Sequence, residues 1–204
     1  MDSLNPTFTE NGYAIAEDII PVSLANDLSR EAETIETTVP VEDPLIVEGV
    51  YCGDEWSTCV CQYPAFQKLA RSPFLINCME EILQSSCDPT PVFWSLFRIS
   101  RGQGDTLWHQ DADDSLYKQA KIGITIFLSE NEKRATILKV IPKSHHWPFP
   151  EKEQMHKAHS SETEINISRQ TIMFHNPLLW HTSLLNSSQK PLLLLIFFYK
   201  LAEE

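Results

Sequence analysis

The sequence predicts a mainly β fold with flanking α-helices, and three observations lead to it. Apolar residues recur at helical spacing in two segments before residue 90. After residue 92 they alternate with a period of two in several short segments, which is typical of a sandwich or barrel. The chain has 204 residues, the length of one domain, which we expect to be mostly helical over about 1–90 and a β core over about 91–204.

Two helices are predicted in the first part of the chain. Ser23 can cap the first helix, whose apolar stripe follows at helical spacing: Leu24, Leu28, Ala32 and Ile35. Ser72-Pro73 predicts the start of the second helix, because serine caps helices and proline fits the first helical position. Residues 40–61 carry prolines and glycines with little periodicity, so we expect irregular structure there with at most a strand.

Several short segments of the second part are predicted strands. In the first of them Phe93, Phe97 and Ile99 lie on one face. The others are 121–129, 137–141, 165–167, 171–174 and Leu192–Tyr199. The last run has the length of a buried strand and is far too short to cross a bilayer.

The net charge and the cysteine content indicate which binding partners and which cellular location to expect. The formal net charge is −12, from 28 acidic and 16 basic residues, and the basic residues form no cluster. We therefore expect no nucleic acid and no membrane as partner, and the oligomeric state is left open. The first ten residues lack a secretory pattern, and five cysteines are an odd number, which favours free thiols and a cytoplasmic location.

The chemistry is concentrated in the tripeptide His109-Gln110-Asp111. Side chains two apart on a strand face the same side, so His109 and Asp111 can offer an imidazole and a carboxylate together. His181, from another strand, would complete two histidines and one carboxylate, the set that binds iron(II) in oxygen-activating enzymes. On spacing alone an alternative stays open, in which His109 and Asp111 form a hydrogen-bonded loop pair and His181 lies in the core.

Several stretches occur in the order found in one family. They are Glu10-Asn11-Gly12-Tyr13, Trp108-His109-Gln110-Asp111, Ile141-Pro142-Lys143-Ser144-His145, and Phe174-His175 through His181 to Ser183 and Asn186. With these motifs the chain resembles the phytanoyl-CoA dioxygenase family of iron(II)/2-oxoglutarate oxygenases. The resemblance runs from about residue 8 to the end of the chain.

The resemblance implies a fold, cofactors and a reaction. The fold is a double-stranded β-helix of the jelly-roll or cupin-like kind, with iron(II) bound by His109, Asp111 and His181 at the barrel mouth. O2 and 2-oxoglutarate are consumed, succinate is released, and a small organic metabolite is oxidised. The carboxylate of Asp111 favours hydroxylation, or the related desaturation and cyclisation, over halogenation. Three residues adjoin the ligands and are candidates for a substrate pocket: Trp108, Gln110 and Trp180.

One position departs from the family pattern, and it concerns 2-oxoglutarate. The family usually has an arginine eleven residues after the distal histidine, which binds the far carboxylate, and here that residue is Leu192. Leucine cannot bind a carboxylate. The candidates to replace the arginine are Lys190 first, then Lys121, and third Arg98 or Arg101, with Ser183 as a further contact to 2-oxoglutarate.

Two other functions stay open at this point. One is a non-catalytic jelly-roll binding module that has lost its co-substrate pocket, which Leu192 would allow. The other is a metal-dependent hydrolase that uses the same three ligands. Binding of iron together with a 2-oxo acid would separate an oxygenase from both.

Overall fold

A computed structural model describes residues 3–40, 45–47, 50–52, 60–104, 106–111, 120–129, 135–147 and 161–202. The helices within these ranges are α1 Leu4–Asn11, α2 Val22–Thr38, α3 Pro64–Ala70 and α4 Pro73–Leu83. The strands are β1 Tyr13–Ala16, β2 Leu45–Val47, β3 Val50–Cys52, β4 Phe93–Ile99, β5 Ile122–Phe127, β6 Ala135–Val140, β7 Thr163–Ile167, β8 Ile172–His175, β9 His181–Ser183 and β10 Leu192–Tyr199.

The strands form two antiparallel sheets. The larger sheet has the strand order β1-β8-β5-β10-β4-β3-β2, and the smaller has the order β7-β6-β9. Side chains from both sheets meet in one apolar cluster, so the sheets pack face to face and enclose a barrel interior. The predicted double-stranded β-helix is confirmed.

Strand β10 separates two apolar cores. Leu193, Leu195 and Phe197 pack with residues of the helices on the outer face of the larger sheet, whereas Leu192 and Leu194 belong to the cluster in the barrel interior. Successive side chains of a strand point to opposite faces, so this alternation follows from the strand geometry. Because both faces of β10 are buried, its sequence is continuously apolar.

The helices begin near the predicted positions. Helix α4 has Ser72 at its N-cap position and Pro73 in its first turn, as predicted. The prediction that Ser23 caps α2 is wrong, because that helix begins at Val22 and Pro21 stands at its N-cap position. No helix in the described ranges is long and apolar enough to span a membrane.

The first part of the chain also contributes strands, in addition to the expected helices. Strand β1 pairs with β8 at one edge of the larger sheet, and β2 and β3 extend the other edge beyond β4. Ala14 and Ala16 of β1 are buried toward the helices, while Tyr13 and Ile15 pack against the interior cluster. The chain before residue 90 therefore contributes strands to the barrel wall as well as the helices that pack on its outer face.

Gly12 joins α1 to β1 in a conformation that favours glycine. Its φ is +82°, and its N–H donates to the carbonyl of Phe8 at 2.8 Å, as in a helix C-cap. A Cβ atom at this position would lie 2.5 Å from Nδ1 of His145 and 2.9 Å from Leu179. The end of α1 thus packs closely against the segment that leads into β9.

Candidate metal centre

His109 and His181 are brought together by their backbones. The N–H of each residue donates to the carbonyl oxygen of the other, and both hydrogen bonds measure 3.0 Å. The two imidazole rings lie side by side, with their centroids 4.3 Å apart. A single bridge between residues 106–111 and β9 therefore positions both histidines at the same end of the barrel.

Asp111 completes the group of three predicted ligands. Its Oδ1 atom lies 4.0 Å from Nε2 of His109 and 3.7 Å from Nε2 of His181. One potential ligand atom from each residue lies within 4.8 Å of the others. One ion can contact all three after small side-chain rotations, since metal–ligand bonds to nitrogen and oxygen are about 2.0–2.2 Å.

The tautomers of both histidines suit metal binding. Nδ1 of His109 lies 2.8 Å from the carbonyl oxygen of Leu107, and Nδ1 of His181 lies 2.9 Å from that of Leu179. A carbonyl oxygen only accepts hydrogen bonds, so each Nδ1 carries the proton and donates. Each Nε2 is then left with a lone pair directed at the group, which is the arrangement that fixes histidine ligands in metalloproteins.

His175 holds the other oxygen of the same carboxylate. Its Nε2 donates to Oδ2 of Asp111 at 3.1 Å, and its side chain is almost fully buried. The ring fits because its neighbour on β5 is Gly123, where a Cβ atom would lie 2.3 Å from Nε2 of His175. His175 therefore orients Asp111 so that Oδ1 faces the two imidazoles. Sequence reasoning did not give it this role, although Phe174-His175 lies in a family motif.

The surroundings keep Asp111 ionised. Burial by itself would raise the pKa of this carboxyl group. The nearby His181 and the hydrogen bond from His175 outweigh burial, and together with His109 they hold the pKa well below its usual range. One carboxylate and two imidazoles are a donor set that fits iron(II) and leaves further positions for other ligands.

The three candidates for a substrate pocket lie beside the ligands and are buried. Trp108 and Trp180 form a small apolar cluster with Ile141. Gln110 donates from Nε2 to the carbonyl oxygen of Leu178 at 2.6 Å. These residues alternate with His109, Asp111 and His181 along the backbone, which places them on the opposite side of the chain from the ligand atoms. Their contact with a substrate stays a prediction.

The candidates for binding 2-oxoglutarate are not brought together. Arg98 lies on the helix-facing side of β4 and forms an ion pair with Glu36 at 2.7 Å. Lys190, Lys121 and Arg101 are all exposed. Ser183 is buried, and its hydroxyl donates to Oγ1 of Thr106 at 3.0 Å. The described residues around Leu192 therefore do not fit a second carboxylate, although the three ligands fit iron.

Two antiparallel sheets with two histidines and one aspartate at the barrel mouth define a class of protein, the cupin-like non-haem iron oxygenases. The family model "Phytanoyl-CoA dioxygenase (PhyH)" matches residues 8–191. The chain belongs to this family. The predicted family and enzyme class, iron- and 2-oxoglutarate-dependent oxygenases, are thereby confirmed. A search of curated proteins found no significant match.

Solved structures show the same fold at low sequence identity. The α-ketoglutarate-dependent epimerase SnoN from nogalamycin biosynthesis has a TM-score of 0.76 and 14% identity, covering 98% of this chain and 82% of its own. HygX from Streptomyces hygroscopicus, with nickel and 2-oxoglutarate bound, has a TM-score of 0.75 and 12% identity, covering 99% and 87%. EctD from S. alaskensis has a TM-score of 0.73 and 17% identity, covering 98% and 77%.

Proposed function

We propose that the protein is an iron(II)-dependent oxygenase that hydroxylates a small organic molecule and consumes O2 and a 2-oxo acid. In its family the 2-oxo acid is 2-oxoglutarate. The observation that carries the proposal is that one potential ligand atom each from His109, Asp111 and His181 lies within 4.8 Å of the others. Both imidazoles have their second nitrogen engaged by a backbone carbonyl, so the group is prepared for a metal before one binds.

Each residue of the centre has a separate task. His109, His181 and Asp111 would bind iron(II), which when bound activates O2 for the oxidation. His175 holds Asp111 in its ionised form and fixes which oxygen faces the metal. Asp111 also bears on the outcome, because a ligand carboxylate occupies the position that a halide would need. Hydroxylation is therefore favoured over halogenation.

A small organic molecule as substrate is supported by the structural neighbours. SnoN has been solved with Fe3+, α-ketoglutarate and nogalamycin RO, and HygX with nickel, 2-oxoglutarate and hygromycin B. The net charge of −12 supports the same conclusion, because it disfavours nucleic acids and anionic lipids. The proposal keeps the cytoplasmic location expected from the sequence, in line with the free thiols of Cys78 and Cys87. Cell fractionation tests the location.

Titration of the whole protein with iron(II) under nitrogen tests the function. We expect one iron per chain and, on addition of a 2-oxo acid, a visible charge-transfer absorption. Asp111→Ala and His181→Ala should lose iron binding. His146 is exposed and provides a matched control, so His146→Ala should bind iron as the wild type does. Iron binding without any 2-oxo acid absorption would favour a binding module. Zinc-dependent hydrolysis of ester or amide probes through the same residues would favour a hydrolase.

A further inference from the structure

Leu192 lies inside the barrel. It is the first residue of β10, it pairs with Ile99 of β4, and only 5% of it is exposed. Its neighbour Leu193 points to the opposite face and packs toward the helices. The position where the family has a carboxylate-binding arginine is thus directed into the barrel, and leucine occupies it.

The surroundings of Leu192 are apolar from both sheets. The cluster includes Ile99, Phe127 and Leu194 from the larger sheet and Ile165 from the smaller one. The residues opposite Leu192 and Leu194 on the neighbouring strands share their face of the sheet, and all of them are apolar: Ile99, Phe97 and Phe127. A carboxylate placed here would lose its hydration without gaining a partner of opposite charge, which is strongly unfavourable.

The basic residues predicted to replace the arginine lie elsewhere in the part of the chain that the structure describes. Arg98 faces the helices and is paired with Glu36. The N–H of Lys121 donates to the carbonyl of Tyr199, the last residue of β10, so its backbone is about 23 Å along the strand from Leu192. A lysine side chain spans only a fraction of that length.

Lys190 is closer in sequence, but its backbone belongs to an exposed turn. Its carbonyl oxygen accepts hydrogen bonds from Asn186 at 2.9 Å and from Ser188 at 2.6 Å. Its side chain is exposed. Described hydroxyls in this region are already bonded: that of Ser129 to the backbone of Pro191 and Leu193, and those of Ser183 and Thr106 to each other. Neutral hydroxyls compensate a buried carboxylate poorly.

We propose that the protein takes a 2-oxo acid without a second carboxylate, that is, a 2-oxo monocarboxylate with a short aliphatic side chain, and that Leu192 determines this choice. The inference rests on the proposed oxygenase function and deepens it. The metal-binding end of the co-substrate, its 2-oxo group and first carboxylate, is common to all 2-oxo acids. Only the far end differs, and this is the end that would meet Leu192, Ile99 and Phe127.

The reaction balances for such a co-substrate as it does for 2-oxoglutarate. The bond between C1 and C2 of the 2-oxo acid breaks, and C1 leaves as CO2. One oxygen atom of O2 enters the new carboxylate at C2, and the other enters a C–H bond of the substrate to form an alcohol. The 2-oxo acid and the C–H bond each supply two electrons, which together reduce O2.

A comparison of 2-oxo acids on the iron-loaded protein tests the proposal. Pyruvate, 4-methyl-2-oxopentanoate and 2-oxoglutarate are titrated under nitrogen, with the visible absorption and calorimetry as readouts. We expect one of the monocarboxylates to bind at least tenfold more tightly than 2-oxoglutarate. If 2-oxoglutarate binds as tightly as the best monocarboxylate, the inference is overturned while the oxygenase function stands. If iron binds and no 2-oxo acid does, both fail.

Substitutions at Leu192 and Lys190 provide a second test of the proposal. Leu192→Arg should raise the affinity for 2-oxoglutarate at least tenfold and weaken that for the monocarboxylate, whereas the matched control Leu192→Met should keep the wild-type order. Circular dichroism reports whether the arginine is tolerated. If Leu192→Arg does not fold, the wild-type comparison decides alone. Lys190→Met should leave every affinity within about threefold, and a hundredfold loss for 2-oxoglutarate would instead assign the missing cation to Lys190 and overturn the inference.

Discussion

Replacing His175 tests how the centre is built. Its imidazole donates to Oδ2 of Asp111 at 3.1 Å and is almost fully buried. A hydrogen bond to a charged group contributes about 1.5–3 kcal/mol. His175→Leu removes this bond, so Asp111 would be free to rotate away from His109 and His181. Because about 1.4 kcal/mol of binding free energy corresponds to a tenfold change in affinity, the affinity for iron(II) should fall by about tenfold to a hundredfold.

The assay is a competition between the protein and a chelator of known iron affinity, under nitrogen. His175→Gln is the matched variant, because its amide keeps an N–H donor, and it should lose less than about threefold. His181→Ala removes a ligand and should lose far more than His175→Leu. Wild-type affinity in His175→Leu, in a folded protein, would refute the positioning role. A loss equal to that of His181→Ala would mean that His175 is itself a ligand.

Three further substitutions test other parts of the structure. Asp111→Ala should abolish iron-dependent turnover with an unchanged circular dichroism spectrum, and residual turnover near wild type would contradict the ligand assignment. Asn186→Ala should lower the free energy of unfolding in urea by about 2 kcal/mol, because its buried amide donates to the carbonyls of Ile99 and Lys190, both at 2.9 Å. Lys143 has a φ of +71°, so Lys143→Gly should be more stable than Lys143→Ala by about 1 kcal/mol. Equal thermal midpoints would argue against strain there.

The parts of the fold that depend on local patterns were predictable. Ser72-Pro73 marks the start of α4 because the ring of Pro73 suits the first helical turn, although the side chain of Ser72 makes no capping hydrogen bond. The alternation in β4 and the apolar run of β10 identify strands because burial repeats with the geometry of the sheet. Strand β9 is too short for such a pattern, and only the expected role of His181 as the third ligand indicated a strand there.

The parts that depend on contacts between distant residues were not predictable. The three proposed metal ligands followed from residue type and family spacing, but the bond between His175 and Asp111 joins residues 64 apart in the chain. The direction of Arg98 depends on Glu36 of α2, and the exposure of Lys190 depends on the turn built around Asn186. Neither the direction of the Arg98 side chain nor the exposure of Lys190 could be inferred from how many residues separate it from Leu192.

The release of CO2 from a 2-oxo acid labelled at C1 tests the central claim most directly. The wild-type protein is incubated with iron(II), O2 and either a 2-oxo monocarboxylate or 2-oxoglutarate, with Asp111→Ala beside it. We predict that the wild type releases labelled CO2 only when both iron and O2 are present, and that Asp111→Ala releases none. Release at the same rate from Asp111→Ala, or no release from any 2-oxo acid by the iron-loaded wild type, would contradict the assignment of an iron-dependent oxygenase.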